Sequence, residues 1–294
     1  MRLLQPILAG LFLFLPSLLI AQIDAVDDAW TPLFNGKNLA GWTPKITGQK
    51  AGQDTRNTFR VDQGLLKVRY DEYERFAGQF GHLFYDVPLS HYALHVEYRF
   101  VGEQLAGGPA GWAVRNSGVM LHAQAPGTMS LEQDFPNSIE AQFLGGLSNG
   151  QPRPTANVCT PGTDITVNGK RHPQHCLAST SATLDGDQWV NVTIVVLGGG
   201  TIRHYVDGTE VLRYERPTLG DTAAGSSGHD KPGQTKAEAK SLQSGYIALQ
   251  SESHPIDFRQ IRLLNLAGCT DAKAINFAPY YVKSVPSACR YKSQ

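Results

Sequence analysis

Three stretches of the chain carry histidine, carboxylate and amide side chains at alternating positions. Ser117 to Gln124 sets Gly118, Met120, His122 and Gln124 on one side, Ser138 to Leu144 sets Ser138, Glu140 and Gln142, and Gly245 to Glu252 sets Ala248, Gln250 and Glu252. Residues two apart share a face of a strand. Three strands would thus present a polar side that lacks Lys and Arg, whereas ordinary solvent faces are filled with Lys, Thr, Ser and scattered charge. For any one strand a solvent face is the plain alternative; taken together, the three read as a site. Carboxylates and amides suit a polyol, because each sugar hydroxyl both donates and accepts. Two glutamates also supply the parts for acid/base chemistry at a glycosidic bond, if burial or mutual charge raises one of them.

Imidazoles widen the choice. His122 shares the expected face with Met120 and Gln124, His254 follows Glu252 at His254-Pro255, and His204 sits in the strand-like Ile202 to Val206, where a core position is the alternative. Carboxylate and imidazole together also suit a divalent metal, an alternative the sequence leaves open; it requires no cofactor. Trp112, in the Gly-rich stretch Gly107 to Trp112, is a candidate platform for a sugar face. Asn191-Val192-Thr193 matches a glycosylation acceptor but falls inside an expected strand.

The elements that must position these residues are short strands. Alternating runs recur from Phe59 to Leu266, separated by Gly, Pro, Asn and Asp, and Asp207-Gly208 marks a two-residue hairpin. Thirty Gly and 17 Pro against three Met favour turns over long helices. Many strands without a βαβ rhythm predict an all-β chain, two antiparallel sheets packed as a jelly roll. The stretch 145–184 is expected to be an ordered, stapled excursion. The stretch 219–244 has little to bury and is expected to be a lid or disordered.

With 26 Lys+Arg against 26 Asp+Glu over 294 residues, the chain lacks the cationic excess of a nucleic-acid binder. Arg2, an apolar run from Ile7 to Ile20 and Ala21 predict a signal peptide over residues 1–21, followed by a main domain at 22–266 and a tail at 267–294. The mature chain has no apolar stretch long enough to span a membrane. In an oxidising compartment Cys159 with Cys176, and Cys269 with Cys289, are favoured as disulfides by proximity, among three pairings. A zinc site from Cys159, His172, His175 and Cys176 is the rival reading.

The ordered series Pro32 to Trp42, Phe59 to Leu65, Asn116 to Val119, Ser138 to Gln142, Asp187 to Trp189, His204 to Gly208, Gly245 to His254 and Phe258 to Ile261 resembles the 3-keto-disaccharide hydrolase family, long called domain of unknown function 1080. The resemblance covers about Ala29 to Leu266. It implies a concanavalin-like double-sheet jelly roll, exported, that acts on small carbohydrates: glycosides bearing a ketone at C3. Such a ketone acidifies the C2 proton, so a base can remove it and the C1 substituent can be eliminated before water adds. Glu140, Gln142 and Glu252 match the family's polar face. On this reading Glu140, Glu252, His122 and His254 are the catalytic candidates, and Gln142, Gln250, Asn116, Trp112 and His204 the substrate contacts. The tail, with Cys269, Thr270-Asp271 and Cys289, resembles a cysteine-bounded module of some secreted Bacteroidetes proteins, which implies a bacterial protein, periplasmic or secreted. The competing function is a non-catalytic carbohydrate-binding module on the same fold.

Overall fold

A computed structural model describes residues 26–220 and 240–292. The expected signal peptide and most of the expected loop at 219–244 lie outside these residues. In chain order the strands are β1 (Thr31–Pro32), β2 (Trp42–Ile46), β3 (Phe59–Asp62), β4 (Leu65–Val68), β5 (Gly81–Tyr85), β6 (His91–Phe100), β7 (Asn116–Ala123), β8 (Ile139–Leu144) and β9 (Asn157–Cys159). They continue as β10 (Thr163–Val167), β11 (Lys170–Arg171), β12 (Cys176–Leu177), β13 (Val190–Leu197), β14 (Thr201–Val206), β15 (Thr209–Leu219), β16 (Tyr246–Ser251), β17 (Ile256–Asn265), β18 (Ala267–Gly268) and β19 (Lys283–Ser284).

These strands form the expected double-sheet sandwich. A seven-stranded sheet runs β12-β9-β8-β7-β16-β5-β2, and a ten-stranded sheet runs β11-β10-β15-β14-β13-β6-β17-β4-β3, with β1 added beside β17. Period-two alternation decides which residues enter the shared core. Val119, Leu121, Ile139, Ala141, Phe143, Ile247 and Leu249 point inward from one sheet to meet Leu94, Val96, Tyr98, Val192, Ile194 and Phe258 from the other. Tyr98 and Phe143 stack across the interface with ring centroids 4.3 Å apart. Each fully buried Leu, Ile or Phe contributes roughly 1.5–3 kcal/mol. The same alternation turns Glu140, Gln142, Gln250 and Glu252 to the outer face of the seven-stranded sheet.

Turn chemistry follows the sequence closely at the β14–β15 hairpin. Asp207 has φ 46° and Gly208 φ 77°, the two left-handed residues that a tight hairpin demands. The stretch 145–184 does more than make an excursion. It adds β9 and β12 to the edge of one sheet and β10 and β11 to the edge of the other. Cys159 and Cys176 are directly opposed in the β9–β12 register and joined as a disulfide, and Cys269 is joined to Cys289 in the tail. Because the two sulfurs are bonded to each other, the zinc reading of Cys159, His172, His175 and Cys176 does not hold. Tyr280 of the tail packs on Ala93, Val195, Tyr205, Leu264 and Leu266, a small apolar cluster on the outer face of the ten-stranded sheet. No helix among the described residues is long and apolar enough to cross a membrane.

Closing the 17-residue separation between Cys159 and Cys176 restricts the unfolded chain by about 3 kcal/mol in the chain-entropy picture. The double substitution Cys159→Ser, Cys176→Ser is therefore expected to lower the thermal midpoint by several degrees, measured by circular dichroism. An unchanged midpoint would show that this bridge adds no stability.

Candidate functional site

Strand register assembles a polar row across the outer face of the seven-stranded sheet. Lys45 of β2 is opposite His82 of β5, and His82 is opposite Gln250 of β16. Beyond β7 the row continues from Gly118 to Gln142 of β8 and from Gln142 to Asn157 of β9, where the Asn157 amide donates to Gln142 Oε1 at 3.1 Å. A neighbouring row is apolar: Phe84 is opposite Ala248, Ala248 is opposite Met120, and Met120 is opposite Glu140. Phe84, Met120, Ala123, Met129 and Ala248 form a buried cluster beside the carboxylate. Gly118 makes the close approach possible, since a Cβ there would lie 2.8 Å from Glu140 Oε1.

These surroundings set the charge of the two glutamates. Glu140 and Glu252 are 5% and 2% exposed. Burial raises the Glu140 carboxyl well above the usual carboxylate range; Gln250 lies near enough to ease this in part, without a well-formed hydrogen bond. Burial first, and then the charge of Glu140, raise Glu252 further. Two nearby carboxyls in a dry site cannot readily ionise together, so near neutrality they hold at least one proton between them.

Around this pair lie buried polar atoms without a hydrogen-bond partner among the described residues. They are Glu140 Oε1, Glu252 Oε2, both side-chain atoms of Gln250, Asn116 Oδ1 and both ring nitrogens of His82. Buried polar groups are nearly always satisfied, and each orphan costs on the order of 1–3 kcal/mol. A cluster of orphans on one face is the signature of a surface built to meet a polar ligand. Aromatic rings border it. Phe135 meets His82 edge-on at 5.7 Å, Phe80 packs on Phe135 at 4.9 Å, and Trp112, 52% exposed, stacks on Phe80 at 6.2 Å. Trp112 is thus an exposed loop residue, as the sequence suggests, on the rim of the site. Its loop is fixed by Arg153, whose guanidinium donates to the carbonyls of Trp112, Val114, Arg115 and Gly145.

The histidines fall differently from expectation. His122 has φ 49°, and the β7–β16 register shifts between Tyr246 and Ala248. This bulge gives Ala123 the place in the apolar cluster that simple alternation gives to His122. His122 turns toward the far sheet instead, where its Nε2–H donates to the Gly198 carbonyl at 2.9 Å and burial lowers its pKa. His204 faces the inter-sheet core: Nδ1–H donates to the Ala156 carbonyl, and Nε2 accepts from the Tyr214 hydroxyl, each at 2.9 Å. Burial brings it down to about 4, a satisfied neutral imidazole away from the polar row. His254 packs edge-on against Phe100 at 5.6 Å, and is brought down to about 4 by burial, then by Arg115. Asn116 lies on the same side of β7 as Gly118 and Met120, so it stays with the group. The histidine that the geometry does bring to the row is His82, lowered to about 3 by burial and then by Lys45. Sequence reasoning passed over it because Gly78-Gln-Phe-Gly81 before it reads as a turn, although His82 and Phe84 do alternate.

The fold is an antiparallel β-sandwich with a dry carboxyl pair among amides on one outer face. The chain belongs to the 3-keto-alpha-glucoside-1,2-lyase-like domain family, whose model matches residues 29–264. No curated protein matches it. Among solved structures, a proposed glycosyl hydrolase of Parabacteroides distasonis ATCC 8503 is 18% identical, with a TM-score of 0.48 over 80% of this chain and 98% of that one. A second proposed glycosyl hydrolase of the same organism is 14% identical, with a TM-score of 0.47 over 80% and 93%. The carbohydrate binding module CBM66 from Bacillus subtilis is 9% identical, with a TM-score of 0.40 over 81% and 96%. Both disulfides fit an oxidising compartment.

The raised carboxyls carry a stability signature. The unfolded chain releases these protons first as pH rises, so the folded state holds more of them and loses stability at roughly 1.4 kcal/mol per pH unit per retained proton. The loss begins above the ordinary carboxyl range and ends once the raised groups ionise. Glu140→Gln and Glu252→Gln should therefore melt at higher temperature than the wild type at about pH 8, with a smaller difference at about pH 5. Melting curves that stay parallel across that range would contradict the buried pair.

Proposed function

We propose that the chain is an exported bacterial enzyme, periplasmic or secreted, that cleaves 3-keto-glycosides by elimination. The observation that carries this reading is the dry Glu140–Glu252 pair, set among polar atoms with unused hydrogen-bonding capacity. When the pair holds one proton, its ionised member is a base and its protonated member is an acid. The base takes the proton from C2, and the electron pair moves toward the C3 ketone to form an enolate. The enolate then collapses: the ketone returns, a C1–C2 double bond forms, and the C1–O bond breaks. The acid gives its proton to the departing oxygen. Water adding across the double bond completes a net hydrolysis.

The protein has little more to supply, because the ketone provides the activation. The His82 ring N–H and the Gln250 amide are donors suited to the enolate oxygen, while Gln142 and Asn116 suit the ring hydroxyls. His122 is left out of the proton transfer by where it points, whereas His254, with both ring nitrogens buried and unpartnered among the described residues, stays a candidate beside the pair. Trp112 is equally compatible with a second reading, binding without cleavage, since an exposed indole on the rim suits a sugar face in either case.

A panel of 3-keto-glycosides and their unoxidised parents, with and without chelator, separates the two. Glu140→Gln and Glu252→Gln are expected to lose about 10²- to 10⁴-fold in turnover while staying folded, and His82→Gln about 10²- to 10³-fold. Wild-type turnover in both glutamate variants would overturn the assignment. Binding without cleavage of any substrate would establish the module reading instead.

A further inference from the structure

On the opposite side of the molecule, the outer face of the ten-stranded sheet holds a cleft of about 290 Å³. The whole inter-sheet core separates it from Glu140 and Glu252. Its floor is His95 of β6 with Asn191 and Thr193 of β13, its far wall is the Asp207-Gly208 turn, and its near wall is Trp30, Asp27 and Arg262. Asn191 and Thr193 reach it together because they are two apart on one strand. They are the polar residues of the Asn-Val-Thr tripeptide in the sequence.

The lining sets hydrogen-bonding groups around one fixed indole. Trp30 is half-buried against the apolar cluster of Ala93, Val195 and Leu264, with His95 edge-on at 6.3 Å and the Arg262 guanidinium over it at 5.6 Å, so the indole is a rigid wall. Opposite it, Asn191 Nδ2 donates to Asp207 Oδ1 at 2.9 Å. That bond uses one carboxylate oxygen and one amide proton, and leaves Asp207 Oδ2 and Asn191 Oδ1 with acceptor capacity for adjacent hydroxyls. Thr193 Oγ1 lies 3.1 Å from His95 Nδ1 and adds a hydroxyl to the same floor. Charge narrows the class of ligand. Arg262 is paired with Asp27 at 2.8 Å, so Asp207 carries the remaining negative charge, which disfavours phosphates and uronates.

We propose that this cleft is a second carbohydrate site, one that binds a neutral glycan by its vicinal hydroxyls and performs no chemistry. It contains no raised carboxyl pair and stands independently of the reading of the Glu140–Glu252 face. An exported enzyme with such a site would hold a glycan on its back while processing a glycoside on its front.

The test is isothermal titration of the mature protein with maltotetraose, cellotetraose and laminaritetraose, in the wild type, in Asn191→Ala, in Asp207→Asn and in the Glu140→Gln, Glu252→Gln double variant. Asp207→Asn keeps a residue that tolerates the left-handed turn, and a melting curve checks that each variant is folded. The proposal expects at least one of the three glycans to bind the wild type and the double glutamate variant alike. It expects binding at least about tenfold weaker in Asn191→Ala and Asp207→Asn, which should turn over a 3-keto-glycoside as the wild type does. Binding that survives both cleft substitutions, binding lost in the glutamate variant, or no binding of any of the three would overturn it.

Discussion

Desolvation of two carboxyls is the constraint around which the seven-stranded sheet is organised. A carboxylate is strongly hydrated, and a pair of them is tolerated in a dry place only when at least one is neutral. The sheet meets this requirement with side chains that contribute nothing polar: Phe84, Met120 and Ala248 beside Glu140, and the aromatic rings of Phe80 and Phe135 on the His82 side. Gly118 gives Glu140 room to lean across its strand. The stability lost to this arrangement is offset elsewhere, chiefly by the continuous apolar core between the sheets.

The ten-stranded sheet shows the opposite treatment of charge. Asp257, 1% exposed, accepts from Arg69, just past the end of β4, and from Arg99 of β6, on either side of it. Arg99 also lies over Trp189 at 4.7 Å, and Arg259 over the same ring at 4.1 Å while paired with Glu97. Here a buried carboxylate is matched with guanidinium groups, which tie β17 to β4 and β6. Glu140 and Glu252 receive no such partner. The contrast within one molecule sets a matched, structural carboxylate against an unmatched pair, the kind of perturbed group on which the proposed chemistry rests.

Much of this was legible in the chain because alternation is a local property. The faces of β8 and β16, and hence the outward placing of Glu140, Gln142, Gln250 and Glu252, follow from counting by twos. The two disulfides and the Asp207-Gly208 hairpin follow from spacing and turn chemistry. What counting by twos misses is a change of phase. One left-handed residue at His122 reverses the faces at the end of β7, and nothing in Leu121-His-Ala-Gln124 announces it. His204 could be placed only by knowing that the Ala156 carbonyl and Tyr214 lie across from it, contacts made by chain 48 and 10 residues away. His82 was hidden by its neighbours, since the glycines and Gln before it resemble a loop until β2 and β16 pair on either side.

The clamp made by Arg153 bears on how this protein can diversify. Its guanidinium holds the segment of Trp112, Val114 and Arg115 by backbone carbonyls alone, and every residue type supplies an identical carbonyl. The course of the rim is thereby uncoupled from the identity of the side chains it displays. Substitution at Trp112, the exposed residue of this segment, can change what the rim prefers to touch while its path stays put, so new preferences can be sampled without first rebuilding the scaffold. Arg153 itself has no such latitude, because a lysine in its place would offer a point charge where a planar fork now reaches several oxygens at once.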